Sequence, residues 1–519
     1  GPARRAEVHE LSSGKAVPLD IDGAALQEVI FVDPHGRFLL ASRLSGRDRY
    51  PGVDRIDLST GEAVRVQPPV RGVWSWFADN EGVVRVGIDY GERRTRIYYR
   101  AEPTGQLTRL QTRQDLLEDS VVDLVRFVSG GGRGIMGTNE VTGRFALYEY
   151  DFAAATRGAA LFEHDEVDVT GAVFGPDGSL DGILYEDDRP RARWIDPAMA
   201  RVQARLDSAL PGKTNLIVNR SADGNRMLVF SYAADDPGTY YVFDQAASRL
   251  EIFASPYAGL HDRAFAPVRP ISYTSRDGLT IRGYLTLPPG RPGRGLPLVV
   301  LPHGGPFLRD GWDFNPEVQF LASRGYAVLQ PNFRGSGGYG DQWLQQNGFR
   351  GWRTSIGDIT AGARWLAQQG IADPSRMAIV GWSYGGYAAL QSGITEPELF
   401  KAIVAIAPVT DLQQIKDDAR GFTNARNIAE YVGTGPHIQE GSPLPNAARV
   451  RAPVLMFHGD RDLNVLVGHS QRMDRALRDA GRQSELVVFP GLEHDLGDGN
   501  ARERMLERIG AFLAANLGR

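Results

Sequence analysis

Cysteine is absent from the 519-residue chain, which excludes disulfides, thiolate metal sites and cysteine nucleophiles. No apolar run approaches the roughly 20 residues of a membrane-spanning helix. Neither sign of charge dominates: 58 Lys and Arg are interspersed with 63 Asp and Glu, for a net charge of −5. Such a surface offers no electrostatic footprint for nucleic acid or an anionic membrane. With 42% hydrophobic and 23% charged residues, the composition is that of a soluble globular protein, and the length calls for two domains. Gly1-Pro2 reads as the scar of a removed tag. A signal peptide upstream is therefore compatible with the sequence, and both cytoplasm and periplasm stay open.

Up to about residue 255 the chain is built of short alternating strands and turn signals, and one unit recurs. Its turns include Asp33-Pro34-His35-Gly36, Ala78-Asp79-Asn80-Glu81-Gly82, Gly175-Pro176-Asp177-Gly178 and Ser221-Ala222-Asp223-Gly224. The matching outer strands include Val53-Asp54-Arg55-Ile56-Asp57-Leu58 before Thr60-Gly61, Ala146-Leu147-Tyr148-Glu149-Tyr150-Asp151 and Tyr240-Tyr241-Val242-Phe243-Asp244. About five such units of roughly 40 residues and four strands predict β-propeller blades over residues 1–262, rather than a β-sandwich. Ala6 to Leu11 followed by Ser13-Gly14-Lys15 resembles the second half of a blade, so the expectation is a propeller incomplete in this chain.

Near Ala266 the texture changes. Ile271 to Thr274 and Ile281 to Leu287 flank an Arg276-Asp277-Gly278 turn, which predicts an antiparallel hairpin. Short apolar strands then alternate with helices, the pattern of a parallel sheet covered on both faces. The strands are Leu298 to Leu301, Ala327 to Leu329, Met377 to Val380, Ile403 to Ile406, Val454 to Phe457 and Leu486 to Phe489. Ile359, Ala363 and Leu366 share a helical face, as do Met473 with Leu477, and Met505 with Ile509, Phe512 and Leu513. Residues 263–519 are therefore expected to form an α/β-hydrolase domain.

The stretch that organises this domain is Gly381-Trp382-Ser383-Tyr384-Gly385-Gly386, with a strand before it and a small-residue helix after it. Strand, G-x-S-x-G and helix form a nucleophile elbow, whose tight turn requires small residues two before and two after the serine. Ser383 is thereby the candidate nucleophile, and the Tyr384 N–H a candidate oxyanion donor at the helix start. In this fold the acid and then the histidine follow the serine. Of nine histidines only His437, His458, His469 and His494 come later. His437 sits in a Gly-Pro loop, His458 closes a strand in a structural position, and His469 lies on a polar helical stretch facing solvent. His494 follows the last strand in a loop able to reach the top of the sheet, and is the candidate base. For the acid, Asp460 and Asp462 follow one strand and Asp411 ends another, and spacing does not choose between the first two. The loop Pro302-His303-Gly304-Gly305-Pro306 after the first parallel strand matches an H-G-G oxyanion loop.

At these residues the chain resembles the prolyl oligopeptidase family of serine peptidases, in its acylaminoacyl-peptidase-like and dipeptidyl-peptidase-like branches. The resemblance rests on His303-Gly304-Gly305-Pro306, Asn332-Phe333-Arg334-Gly335-Ser336-Gly337-Gly338-Tyr339-Gly340, the elbow, and His458-Gly459 with Asp462. It covers about residues 268–519 in sequence and the first half in architecture. It implies Asp462 as the acid and the Gly305 and Tyr384 N–H groups as the oxyanion pair. It also implies Asn464 near a substrate carbonyl, with Val409, Leu412 and Val465 around the pocket for the residue before the scissile bond. The dipeptidyl-peptidase branch holds a free N-terminus with adjacent propeller glutamates, and no Glu-Glu pair occurs here. Where that branch carries an aromatic residue in the pocket, this chain has Leu412.

The expectation is a serine peptidase acting on short or unfolded peptides through an acyl-enzyme on Ser383, with the propeller as a size filter. Its partner is a peptide substrate; a homo-oligomer is compatible, and neither metal nor organic cofactor is implied. Two rivals share the sequence evidence: a carboxylesterase on the same fold, and a non-catalytic binding module built on the propeller.

Overall fold

The computed structural model describes residues 7–9, 14, 16–18, 25–46, 48–90, 95–110, 122–129, 131–175, 178–221, 223–260, 263–305, 307–345, 348–422 and 425–518. Ala6, Glu10, Leu11, Ser13 and Lys15 of the opening half-blade lie outside the described residues. So do Pro176, Asp177 and Ala222 of two turns, Pro306 of the oxyanion loop and Asp262 at the domain boundary. Two compact units result, residues 1–186 with 191–200 and residues 187–190 with 201–519. Among the described residues no helix is long and apolar enough to cross a membrane.

The N-terminal half is a β-propeller, and its blades are five sheets of antiparallel strands. In the first unit three four-stranded sheets begin at Ala25–Val32, Val73–Ala78 and Val122–Ser129, and a three-stranded sheet begins at Val169–Phe174. The short pair Glu7–His9 and Ala16–Pro18 stands before them. The recurring turn has one physical basis. In each, a glycine N–H closes on the carbonyl three residues back, as from Gly36 to Asp33 at 2.8 Å and from Gly82 to Asp79 at 3.1 Å. Those glycines sit at φ +67° and +77°, where a side chain is strained. The turn aspartates also grip an arginine at the start of the next strand, Arg37 at 2.8 Å and Arg85 at 2.6 Å. Strands Gly52–Asp57 and Ala146–Asp151 bury the same positions in the same order, which is why their sequences read alike.

The second unit holds the fifth blade, Thr214–Arg220 to Arg249–Ala254, and the α/β domain. That domain is an eight-stranded sheet. Its strands are β1 (Val268–Thr274), β2 (Thr280–Thr286), β3 (Leu296–Val300), β4 (Ala327–Asn332), β5 (Ala372–Trp382), β6 (Ala402–Ile406), β7 (Val454–Gly459) and β8 (Ser484–Phe489). They lie in the order β1-β2-β4-β3-β5-β6-β7-β8. Pairings β1-β2 and β2-β4 are antiparallel and the rest parallel. Helices α1 (Pro316–Ser323), α2 (Trp352–Gln368), α3 (Tyr384–Thr395), α4 (Gly468–Asp479) and α5 (Gly499–Leu517) cover its two faces.

The two-residue period of the strands divides the core. Leu298, Val300, Ile379 and Ile403 point to one face, against Ile359, Ala363 and Leu366 of α2 and Leu390 of α3. Val299, Val380 and Val404 point to the other, against Leu321 of α1 and Met505, Ile509 and Leu513 of α5. Sheets apolar on both faces need cover on both faces, so the strands read as unbroken apolar runs. The loops considered below leave the C-terminal ends of β3, β4, β5, β6, β7 and β8.

Candidate active site

Ser383 stands between β5 and α3 with φ +58° and ψ −116°, a left-handed backbone that a non-glycine residue adopts only under constraint. The constraint is visible on both sides. Ser383 N–H donates to Ile406 O at 2.7 Å, and Tyr387 N–H returns to Ser383 O at 3.0 Å. A Cβ on Gly381 would come within 2.1 Å of Gly385 O, and one on Gly385 within 2.2 Å of Pro302 O. Both positions therefore exclude any side chain. Ser383 makes no side-chain cap to its helix, so its Oγ is not drawn into local hydrogen bonding.

Asp462 follows β7. Its side chain is fully buried, and Oδ2 accepts from His494 Nδ1 at 2.6 Å. His458 Nε2 lies 3.2 Å from the same oxygen, while Oδ1 accepts from Asn464 N–H at 2.8 Å and Val465 N–H at 2.9 Å. Burial alone would raise the pKa of this carboxyl. The hydrogen bonds from His458, His494 and Val465 outweigh it and hold Asp462 well below the usual carboxylate range. Asp460, two residues earlier, is exposed. Its Oδ1 accepts from Gly491 N–H at 2.6 Å, which ties it to the loop carrying His494 rather than to the imidazole. Asp411 caps the helix Leu412–Asp418, accepting from Gln413 and Gln414 N–H.

Several contacts fix the His494 loop. Asp460 N–H donates to Phe489 O and Arg461 N–H to Leu492 O, and a Cβ on Gly459 would meet Leu492 O at 2.3 Å. Trp382, the residue before the serine, donates its indole N–H to His494 O at 3.0 Å. The elbow thus holds the histidine loop directly. The middle residue of the G-x-S half-motif carries no spacing signal, so this contact was not legible in the sequence.

The loop after β3 lies against the elbow: a Cβ on Gly304 would fall 3.7 Å from Ser383 Cβ. Gly305 sits at φ +43°, and its carbonyl accepts from Leu308 N–H at 3.1 Å. Tyr384 opens α3, where a backbone N–H has no intrahelical acceptor. The Gly305 and Tyr384 N–H groups donate to nothing among the described residues. His303 stacks on Phe333 with ring centroids 4.4 Å apart and contacts Ser336 Oγ through Nε2 at 2.7 Å. Burial pushes this imidazole down to about 4, so it is neutral at pH 7. The Asn332 to Gly340 motif therefore acts as a brace under the oxyanion loop. Its own anchor is Arg334, which is paired with fully buried Asp358 at 2.7 Å and with Asp277 at 2.5 Å.

The other sequence candidates are distributed as follows. Asn464 is exposed beside Asp462. Val409, Leu412 and Val465 are buried in the core cluster that contains Tyr384, Tyr387 and Phe349. Aromatic residues not singled out by sequence adjoin Tyr384: Phe349 lies 5.4 Å from it, and Tyr431 lies 5.8 Å from Phe349 and 6.3 Å from Phe307. Phe307 and Leu308, directly after the oxyanion loop, are more than half exposed. His437 contacts Val432 O at 2.7 Å. His469 corrects the reading of its segment as solvated. The first turn of α4 points it inward, where it is fully buried, accepts from Thr410 N–H at 3.1 Å and stands 3.4 Å from Asp418 Oδ2. Burial pushes its imidazole down to about 3.

Residues 312–519 match the family model described as "Prolyl oligopeptidase family". Dipeptidyl aminopeptidase BIII of Pseudoxanthomonas mexicana is 27% identical over 540 residues, spanning 98% of this chain and 76% of that protein. Dipeptidyl peptidase family member 6 of Caenorhabditis elegans is 26% identical, and the match spans 85% of this chain and 65% of that protein. Among solved structures, a Mycobacterium tuberculosis puromycin-hydrolyzing peptidase superposes with a TM-score of 0.81 at 22% identity, over 99% of this chain and 83% of that one. Pyrococcus horikoshii acylaminoacyl peptidase does so with a TM-score of 0.74 at 19% identity, over 100% of this chain and 86% of that one. These two structures share the fold.

Proposed function

The chain belongs to the prolyl oligopeptidase family of serine peptidases, and on that premise we propose that it hydrolyses amide bonds of short or unfolded peptides through an acyl-enzyme on Ser383. The observation that carries this reading is the 2.6 Å contact between His494 Nδ1 and the buried Asp462 carboxylate, tied by Trp382 to a serine on a strained elbow. Asp462 fixes the Nδ1–H tautomer of His494, so Nε2 takes the Ser383 proton as Oγ attacks the carbonyl carbon. The oxygen that becomes negative is held by the Gly305 and Tyr384 N–H groups, the second at a helix N-terminus where the backbone dipole favours an anion. Collapse of the intermediate breaks the C–N bond, and His494 passes the proton to the departing amine. Water then repeats the sequence on the acyl-enzyme.

Asn464 is the proposed donor to a carbonyl of the acyl half. Val409, Leu412 and Val465, which share one apolar cluster with Phe349 and Tyr384, support an apolar side chain on the residue before the scissile bond. All assigned residues lie between 305 and 494, so the propeller contributes none of them, and its proposed role is to restrict substrates to short or unfolded peptides.

The experiment compares matched peptide anilides and esters with the wild-type chain and Ser383→Ala. Anilide hydrolysis that disappears with the serine supports the peptidase. Ester hydrolysis without anilide hydrolysis overturns it in favour of an esterase. Cleavage of one sequence as a free peptide and inside a rigid loop of a folded protein tests the size restriction. Equal rates on both contradict it.

A further inference from the structure

A cavity of about 360 Å³ lies beside His494, walled by His303 and Gly304 of the oxyanion loop, by Trp382, and by helices α1 and α5. That volume suits a side chain or small ligand. Its inner surface is apolar, contributed by Leu321, Val380, Ile406, Leu506 and Ile509. Three acidic residues interrupt the apolar wall, Asp310, Glu317 and Asp495. Among the described lining residues the one guanidinium, Arg502, donates to the backbone carbonyls Asp495 O at 2.8 Å and Leu496 O at 3.3 Å, which turns it toward the histidine loop.

Asp310 is fixed on every side but one. Its N–H donates to Asn332 Oδ1 at 2.8 Å, its carbonyl accepts from Asn332 Nδ2 at 2.9 Å, and Oδ1 accepts from Gln330 Nε2 at 2.8 Å. Oδ2 is buried and takes no hydrogen bond among the described residues. A rigid, buried acceptor without a donor is destabilising, and such groups in folded proteins call for a partner. Burial, reinforced by the charge of Asp313 and opposed by Gln330 and Arg309, raises its pKa to about 7.

The residues that the cavity shares with the candidate site are those of the departing amine. They include His494, the group that protonates that amine, and the two residues before the Gly305 oxyanion donor. The acyl-side candidates Asn464, Val465, Val409 and Leu412 do not line it. We propose that this cavity is a leaving-group subsite that takes the side chain of the residue after the scissile bond, an apolar stem ending in a cationic hydrogen-bond donor that meets Asp310 Oδ2, the chemistry of lysine. The inference rests on the acyl-transfer reading of Ser383, and it adds no bond-making step to that reading. The stem lies against the apolar wall, and the ammonium supplies the missing donor to a carboxylate already held in place. A charge-assisted bond of this kind is among the stronger polar contacts. An acidic side chain at the same position meets Asp310 and Glu317 and is rejected.

The test uses quenched-fluorescent peptides identical up to the scissile bond, with lysine, norleucine, glutamate or glycine after it. Lysine should exceed norleucine in kcat/KM by about tenfold, the effect of one charge-assisted bond, and glutamate should fall below both. Asp310→Asn keeps an acceptor for Gln330 and turns an NH2 toward the cavity, so the lysine-to-norleucine ratio should drop to within about twofold. Leu506→Trp fills the cavity and should depress lysine and norleucine relative to glycine. A second measurement does not need amide hydrolysis. The enzyme is acylated by an activated ester, and lysine amide and norleucine amide compete with water for the acyl group. Preference for lysine amide, lost in Asp310→Asn, supports the subsite even where the peptides are not cut. A wild-type ratio within twofold in both assays, or a preference that survives Asp310→Asn, overturns the subsite while leaving the role of Ser383 intact.

Discussion

Replacing Asp462 by asparagine tests the site through the tautomer of one histidine. The carboxylate accepts from two backbone N–H groups on Oδ1 and from His494 on Oδ2, while His458 Nε2, which donates to Val465 O at 2.8 Å, stands 3.2 Å from Oδ2. An asparagine there has one acceptor atom. The two N–H groups of Asn464 and Val465 are fixed by the chain, so the amide oxygen must stay with them. Its NH2 then replaces Oδ2 and points at His494 Nδ1. Donor cannot face donor, so the imidazole adopts the tautomer with its proton on Nε2, and Nε2 no longer accepts a proton from Ser383. Loss of the base in this way costs about 10⁴ in kcat, or about 5.5 kcal/mol of transition-state stabilisation. The assay is steady-state hydrolysis of a peptide anilide, with thermal unfolding as a control for folding. Asp460→Asn is the companion variant: its amide oxygen still accepts from Gly491 N–H, so kcat should change less than about threefold. Asp462→Asn within tenfold of wild type, with Asp460→Asn impaired, would refute the reasoning.

Trp382→Phe keeps the packing and removes the bond from the indole to His494 O, so kcat should fall several-fold with KM nearly unchanged; equal loss in both points to substrate binding instead. Asp358→Ala removes the buried partner of Arg334 and leaves it only the half-exposed Asp277, which should cost about 3 kcal/mol in denaturant unfolding; a loss below 1 kcal/mol would show the pair to be dispensable. His469 titrates at about 3 in the folded chain against 6.5 ordinarily. The unfolded chain therefore binds a proton that the folded one does not, and stability falls as pH drops from 6.5 toward 3, by up to about 1.4 kcal/mol per pH unit. His303 adds in the same direction down to about 4. Asp310 acts oppositely, losing stability as pH rises from the ordinary carboxylate value toward about 7. Urea midpoints of His469→Gln should vary less with pH between 4 and 6 than those of wild type; parallel curves would contradict the assignment.

The sheet strands and the elbow were legible in sequence because each depends on neighbours in the chain. Val299 and Leu298 alternate between two cores, and Gly381 and Gly385 are required by atoms within a few residues of Ser383 or in one adjoining loop. The turn glycines of the propeller likewise answer to a carbonyl three residues away. What sequence did not disclose depends on distant segments. His469 sits among charged and polar neighbours, and only its meeting with Thr410 and Asp418 shows why it is buried. Phe349 and Tyr431 are 82 positions apart in the numbering, and no period links them to Tyr384. Asp310 reads as one polar residue of a loop until Asn332 and Gln330 fix it against a cavity whose walls come from five segments. The spacing left Asp460 and Asp462 equivalent, and a two-residue difference in how far the chain runs past β7 gives them different partners.

The most direct test of the account is intact-mass analysis after reaction with a fluorophosphonate, followed by peptide mapping and a parallel assay of peptide hydrolysis. The account predicts a single adduct on Ser383, absent from Ser383→Ala, with peptide hydrolysis lost in proportion to labelling. Full labelling of Ser383 with peptide hydrolysis unchanged, or an active chain in which Ser383 does not label, would contradict it.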